Sequence, residues 1–183
     1  MQNIDVLIVK TFSDNYNVSL YAAVGVVVKF SLIMIAVIET VVAPVLVDSN
    51  KQDHHKKYFI ILTLLSGVGY IISLTLLPWL GNSILHFLKA ELQASWLIWS
   101  ALGVGMVSLG FFAIWIKVYM SWGRRDILYV WIFCSMIGLG VFFKSIEEFV
   151  ILFASILVCL YGVTVCKVGY YLKKHSVFPK ESK

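Results

Sequence analysis

The sequence predicts an all-α fold: a polytopic membrane helix bundle of five full transmembrane helices plus a short N-terminal helical segment. Three observations predict it. Hydrophobic residues make up 60% of the 183 residues and charged residues only 14%, where a soluble domain carries about 25% charged residues. The mean hydropathy is +0.89. The apolar residues gather into runs close to the roughly 20 that a helix needs to cross hydrocarbon. These runs lack the short length and strict alternation of barrel strands, which leaves helices as the only way to satisfy the backbone in lipid. So little polar surface excludes a soluble globular fold. Twelve Gly and three Pro exclude a collagen-like chain, and the apolar content excludes disorder. The pI of 9.1 does not mark a nucleic-acid binder, because the basic residues sit between apolar runs rather than on one patch. Three Cys, all inside apolar runs, give no disulfide framework.

Six segments follow in chain order. Segment one, Ile4–Val9, is too short to span alone, and no basic region precedes it as in a signal peptide. Segments two to six are Val18–Val47, Tyr58–Pro78, Leu92–Tyr119, Ile127–Phe143 and Ile146–Leu172. Pro78 with Gly81 predicts the end of segment three, and 82–90 is read as a short helix in the outer interface. Asp126 can cap segment five, and Ser145-Ile146-Glu147-Glu148 reads as a capping box opening segment six. Residues 1–175 form one transmembrane lobe and 176–183 a tail.

Lys and Arg give the orientation. Lys51, Lys56, Lys57, Lys117, Arg124, Arg125, Lys167, Lys173, Lys174, Lys180 and Lys183 fall on one side; Lys10, Lys89 and Lys144 fall on the other. The side with eleven is cytoplasmic, and both termini lie there if segment one crosses. Trp79, Trp96 and Trp99 flank one outer loop, and Trp115, Trp122 and Trp131 flank an inner one, the headgroup level that aromatic rings prefer.

Segment two carries Lys29. At 100° per residue, Ala22, Gly25, Ala36, Thr40 and Ala43 cluster around it, while Leu20, Val27, Met34, Ile38, Val41 and Val45 lie opposite. The apolar face is expected to meet lipid and the Lys29 face to meet protein or a water-filled cavity. A charge at this depth costs at least ~2.5 kcal/mol on insertion scales and marks a pathway or a pair. Glu39 flanks the same stripe, a little over one turn before Pro44. Segment six has a comparable stripe of Glu148, Ser155, Cys159, Gly162, Cys166 and Gly169, with the two Cys read as small packing residues. Gly69/Ser73 and Ala101/Gly105 are further small-residue packing signals.

No catalytic constellation is present in the sequence. His54-His55, with Asp48 and Asp53 beside it, reads as a solvated loop rather than a metal site, because adjacent His do not share a helix face. Glu147-Glu148 is explained by helix capping. The reading is therefore of a non-enzyme without cofactor or metal.

Asn3-Ile4-Asp5-Val6-Leu7-Ile8-Val9-Lys10, then Val18-Ser19-Leu20-Tyr21-Ala22-Ala23, then Pro44 closing the helix, resembles the second half of a polysaccharide flippase. The family is the O-antigen and capsule flippases of the multidrug/oligosaccharidyl-lipid/polysaccharide exporter superfamily. Leu77-Pro78-Trp79-Leu80 resembles its outer-end turn and Ser121-Trp122-Gly123-Arg124-Arg125 its inner loop, with Ser19 standing where the family has Gly. The resemblance runs in order over nearly the whole chain. It implies one six-helix lobe of a two-lobe transporter in the bacterial cytoplasmic (inner) membrane, with Met1 inside the seventh helix. The implied activity moves an undecaprenyl-pyrophosphate-linked oligosaccharide to the outer leaflet. The implied partners are membrane lipid, that glycan lipid, and an N-terminal flippase half or a second copy. Lys29, Asp5, Glu39 and Thr40 are the substrate-cavity candidates. Asp5, about 12 Å before the turn at Ser13, and Lys29, about 16 Å after it, lie at matching depths and can pair. Two alternatives stand beside this reading: a truncated inert remnant, and a small membrane interaction protein unrelated to sugar export.

Overall fold

A computed structural model describes residues 6, 9–11, 13–47, 52–87, 93–121 and 145–175. All regular structure among them is helical: α1 Asn15–Val47, α2 Gln52–Leu74, α3 Leu76–Phe87, α4 Trp96–Ser121 and α5 Ile146–His175. Four of these helices are long and apolar enough to cross a membrane. Segment five and the 176–183 tail lie outside the described residues.

Helix starts follow from their caps. Asp14 accepts the Asn17 N–H at 3.1 Å to open α1, Ser95 accepts the Ile98 N–H at 3.4 Å to open α4, and Ser145 accepts the Glu148 N–H at 3.2 Å to open α5. The last is the Ser half of the expected capping box. Pro44 does not close α1, which runs on to Val47. Pro78 acts earlier than expected. It offers no N–H to the Leu74 carbonyl, so the ladder opens at Thr75, and Pro78 and Gly81 then sit inside α3. A proline in the first helical turn leaves no intrahelical donor missing. His54 and His55 belong to the first turn of α2 rather than to a loop.

The bundle is built around α4, of whose most apolar window 72% is buried. Helices α1, α4 and α5 run parallel, and α2 runs against them. Tyr70 meets Ser108 and Phe59 meets Trp115 between α2 and α4, whereas Glu39 meets Lys117 between α1 and α4. Small residues set the approach, as expected where lipid provides no hydrophobic drive. A Cβ on Gly105 would lie 3.3 Å from the Ala154 Cα, on Gly103 2.9 Å from the Ser73 Cβ, and on Gly69 3.0 Å from Val107. Two apolar clusters fill the interior. One holds Leu20, Tyr21, Val24, Val28, Trp99 and Phe149, and the other Ile35, Val42, Leu46, Phe111, Trp115 and Tyr161.

Three expectations are corrected here. The buried side of α1 is Tyr21, Val24, Val28, Ile35, Val42 and Leu46, roughly 110° round the helix from Lys29 at 100° per residue. Met34 and Val41 are exposed as expected, but so are Ala36 and Thr40 from the stripe meant to face protein. Every side of α1 is apolar, so the buried face is chosen by fit to α4: Gly110 receives Ile35. Second, Trp99 and Trp115 are fully buried core residues, not interfacial ones, while Trp79 and Trp96 are exposed. Third, the α5 stripe Ser155, Cys159, Gly162 and Cys166 is exposed, so the two Cys are not packing contacts.

Candidate functional site

The caps of three helices meet at one end of the bundle. Ser13, Asp14, Asn17, Gln93, Ser95, Ser145 and Glu147 line a pocket of about 450 Å3 there, floored by Leu20, Ile98 and Ile146. The Ser95 hydroxyl donates to Glu147 Oε1 at 3.2 Å, tying the start of α4 to that of α5. Parallel helices bring three positive dipole ends to this mouth. The carboxylates of Asp14 and Glu147 offset them, and no basic residue is among the pocket's described lining residues. The result is a polar mouth of hydroxyl, amide and carboxylate groups. The caps were readable in the sequence only one at a time; their convergence needs the fold.

Beneath the mouth, α1 carries the other polar groups. Lys29 lies twelve residues after Asn17, about 18 Å along the axis. It is half-buried and sits near the middle of the 15–46 span. Glu39 is ten residues further, about 15 Å, and its carboxylate pairs with the Lys117 ammonium of α4. Lys117, read from the sequence only as an orienting charge, is therefore the partner of Glu39. Thr40 is exposed, and its hydroxyl donates to the Val37 carbonyl at 2.7 Å, so it offers its oxygen to nothing in the interior. Asp5 lies outside the described residues. Lys29, Glu39 and Thr40 are thus not gathered into one site; they are spaced along one helix.

A second polar group lies in the core between α2, α4 and α5. The Ser66 hydroxyl donates to the Thr63 carbonyl at 2.8 Å, which leaves the Tyr161 hydroxyl to donate to Ser66 at 2.7 Å. Ser108 donates to the Val104 carbonyl at 2.8 Å and takes the Tyr70 hydroxyl at 3.0 Å. The two tyrosine rings meet edge to face, centroids 6.2 Å apart. Each phenol finds a partner without water, so this is interhelical glue rather than a reaction centre. The Trp115 indole Nε1 beside it is buried and, among the described residues, faces the Tyr161 hydroxyl without full hydrogen-bond geometry. Among the described residues no group of three His, Cys, Asp or Glu stands close enough to hold a metal.

No family model, curated protein or solved structure matches the chain.

Proposed function

We propose that this chain is a helical lobe of a lipid-linked oligosaccharide flippase, working with a second lobe to move an undecaprenyl-pyrophosphate-linked glycan across a bacterial cytoplasmic membrane. The observation that supports this is the spacing of polar groups along the length of α1. A mouth of hydrogen-bonding side chains stands at one end, Lys29 at mid-depth, and Glu39 with Lys117 near the other end. Ser, Asn, Gln and carboxylate side chains are the groups that bind sugar hydroxyls, and an ammonium at membrane depth is the complement of a pyrophosphate. The ordered resemblance of the stretches from Asn3 to Arg125 to the exporter family supports the same reading. The side with eleven basic residues is then cytoplasmic and the mouth opens outward. Lys56, Lys57, Lys167 and Lys173 stand at the end of the bundle away from the mouth, in keeping with that orientation.

One face of α1 is open to lipid or to a second lobe. Val26, Phe30, Ile33, Met34, Val37 and Val41 are 59–68% exposed along one side, flanking Lys29. The test is export in a strain lacking a related flippase. The chain alone is expected not to restore surface polysaccharide, and co-expression with an N-terminal six-helix half is expected to restore it. Full restoration by the chain alone would overturn the half-transporter reading; no restoration with any partner half would overturn the flippase reading.

A further inference from the structure

We propose that the seam between α2 and α5, at the end away from the mouth, binds an anionic diacyl phospholipid: its phosphate on Lys56, Lys57 and Lys173, and one acyl chain along the open seam past Ile60, Gly67 and Gly162. This rests on the chain spanning a membrane and not on the flippase reading. Phe59 of α2 lies against Gly169 of α5, where an added Cβ would stand 3.3 Å from the ring. The two helices are antiparallel here, so Lys56 and Lys57, within a turn before Phe59, and Lys173, a turn after Gly169, come to the same end. All three are exposed. From 51 to 57 the sequence holds Lys51, Lys56 and Lys57 against Asp53 alone, so the net charge stays positive.

Above these ammonium groups the seam is open among the described residues. The Ser66–Tyr161 hydrogen bond closes its floor. The next residue on each helix, Gly67 and Gly162, has none of the described residues within 4 Å of an added Cβ. Along the same two helices Ile60, nearer the lysines, is 58% exposed and Val158, a turn beyond Gly162, is 38% exposed. From Lys56 to Gly67 is eleven residues, about 16 Å of helix, which is half of a ~30 Å hydrocarbon core and so one leaflet deep. A cationic rim over a one-leaflet apolar trough matches a phospholipid with its headgroup down and one chain in the seam. Basic pockets between membrane helices on the cytoplasmic side hold anionic headgroups by this charge match.

The test is native mass spectrometry of the full chain in detergent, titrated with dipalmitoyl phosphatidylglycerol or with phosphatidylcholine of the same chain length. The unaltered chain is expected to retain phosphatidylglycerol preferentially. Lys56→Gln with Lys57→Gln is expected to weaken it by about fivefold per lysine, and Lys56→Arg with Lys57→Arg to keep it. Gly162→Leu, which fills the seam and changes no charge, is expected to lower retention of the diacyl lipid. Inorganic phosphate is expected not to compete. Lys10→Gln, at the opposite end, should leave retention unchanged. Equal retention of the two lipids, retention indifferent to the double Gln variant, or displacement by inorganic phosphate would each overturn the proposal. Unfolding temperature in the same detergent separates a lost site from a lost fold.

Discussion

Asn82 of α3 and Trp99 of α4 are locked together: the Trp99 indole N–H donates to Asn82 Oδ1 at 3.0 Å. The same amide pairs in both directions with the Ala94 backbone, accepting its N–H and donating to its carbonyl, each at 3.1 Å. Asn82 thus acts as a piece of backbone for the end of the α3–α4 connection. Gly81 makes the contact possible, since a Cβ there would stand 2.4 Å from the ring. This one side chain ties the start of the central helix to α3.

Replacing Asn82 by Ala should therefore cost about 3 kcal/mol, from three lost hydrogen bonds and the polar groups left bare. Trp99→Phe breaks one of them and should cost about 1 kcal/mol. Trp115→Phe is the contrast. Its indole N–H makes at most a poorly formed hydrogen bond, to Tyr161, so its removal should cost less than Trp99→Phe. Denaturant unfolding in detergent, followed by near-UV circular dichroism, ranks the three. An Asn82→Ala variant as stable as the parent would refute the clamp.

Glycines in the same bundle should respond oppositely. A Cβ at Gly105 meets the backbone of Ala154, which cannot swing aside as a side-chain tip can. Gly105→Leu should then destabilise by about 1–3 kcal/mol, the usual cost of overpacking. Gly162 meets none of the described residues, and Gly162→Ala should be neutral or stabilise by up to about 1 kcal/mol on helix propensity. The same unfolding measurement decides. A Gly105→Leu variant that unfolds like the parent would mean that α4 and α5 do not approach there.

The Glu39–Lys117 pair fixes α1 on α4 at the end away from the mouth. Glu39 is 19% exposed and Lys117 62%. Lys117→Met leaves a mostly buried carboxylate without its partner, which in a fully buried pair costs 3–5 kcal/mol. Exposure of the lysine lowers this to roughly 1–2 kcal/mol. Glu39→Gln should cost less than Lys117→Met, because it strands no buried charge. The swap Glu39→Lys with Lys117→Glu should recover most of the loss. Additive losses in that double variant would show that the two residues do not meet.

Orientation gives a prediction independent of stability. A reporter fused after Lys183 should report cytoplasm, and one placed between Trp79 and Leu92 should report the outside. The basis is the eleven-to-three division of Lys and Arg. A cytoplasmic signal from the 79–92 insertion would break the order of spans.

Which parts of this fold are legible in the sequence depends on whether water or lipid is the contrast. The spans are legible, because an apolar run near 20 residues long has no other stable place. Ser145 as a cap is legible, because the cap is local. Gly69, Ser73 and Gly105 are legible as contacts, because small residues are what lets backbones close up in lipid. The packed side of α1 is not, since Val24, Val28 and Ile35, which are buried, differ little in polarity from Val26, Ile33 and Val37, which are exposed. Trp99 and Trp115 mislead for the same reason: an indole suits both a headgroup layer and a core. The union of Glu39 with Lys117, seventy-eight positions apart, and the mouth shared by Asp14, Ser95 and Ser145 arise from the parallel order of α1, α4 and α5, which no local pattern encodes.

Lys29 is the residue on which the functional reading turns. It lies half-buried near the midpoint of α1, where an ammonium costs at least ~2.5 kcal/mol to insert unless it is neutralised. The sequence offers Asp5 at matching depth on segment one. If the two form a structural pair, Lys29→Asp and Asp5→Lys should each lower the amount of folded protein, and the double swap should recover both folded protein and export. If Lys29 meets the pyrophosphate of the transported lipid, the swap should return folded protein without export, because the charge has moved to segment one. The measurement is made in an intact two-lobe transporter, with folded protein read from size-exclusion profiles and export from surface polysaccharide. Unchanged export in the single variant Lys29→Ala would sink both roles. Opposite charge makes the pair and the substrate contact compatible in one cycle: Asp5 would hold Lys29 while the cavity is empty, and the more highly charged pyrophosphate would replace it on loading. In that case Asp5→Asn should leave folded protein reduced yet tighten the hold on substrate, slowing its release.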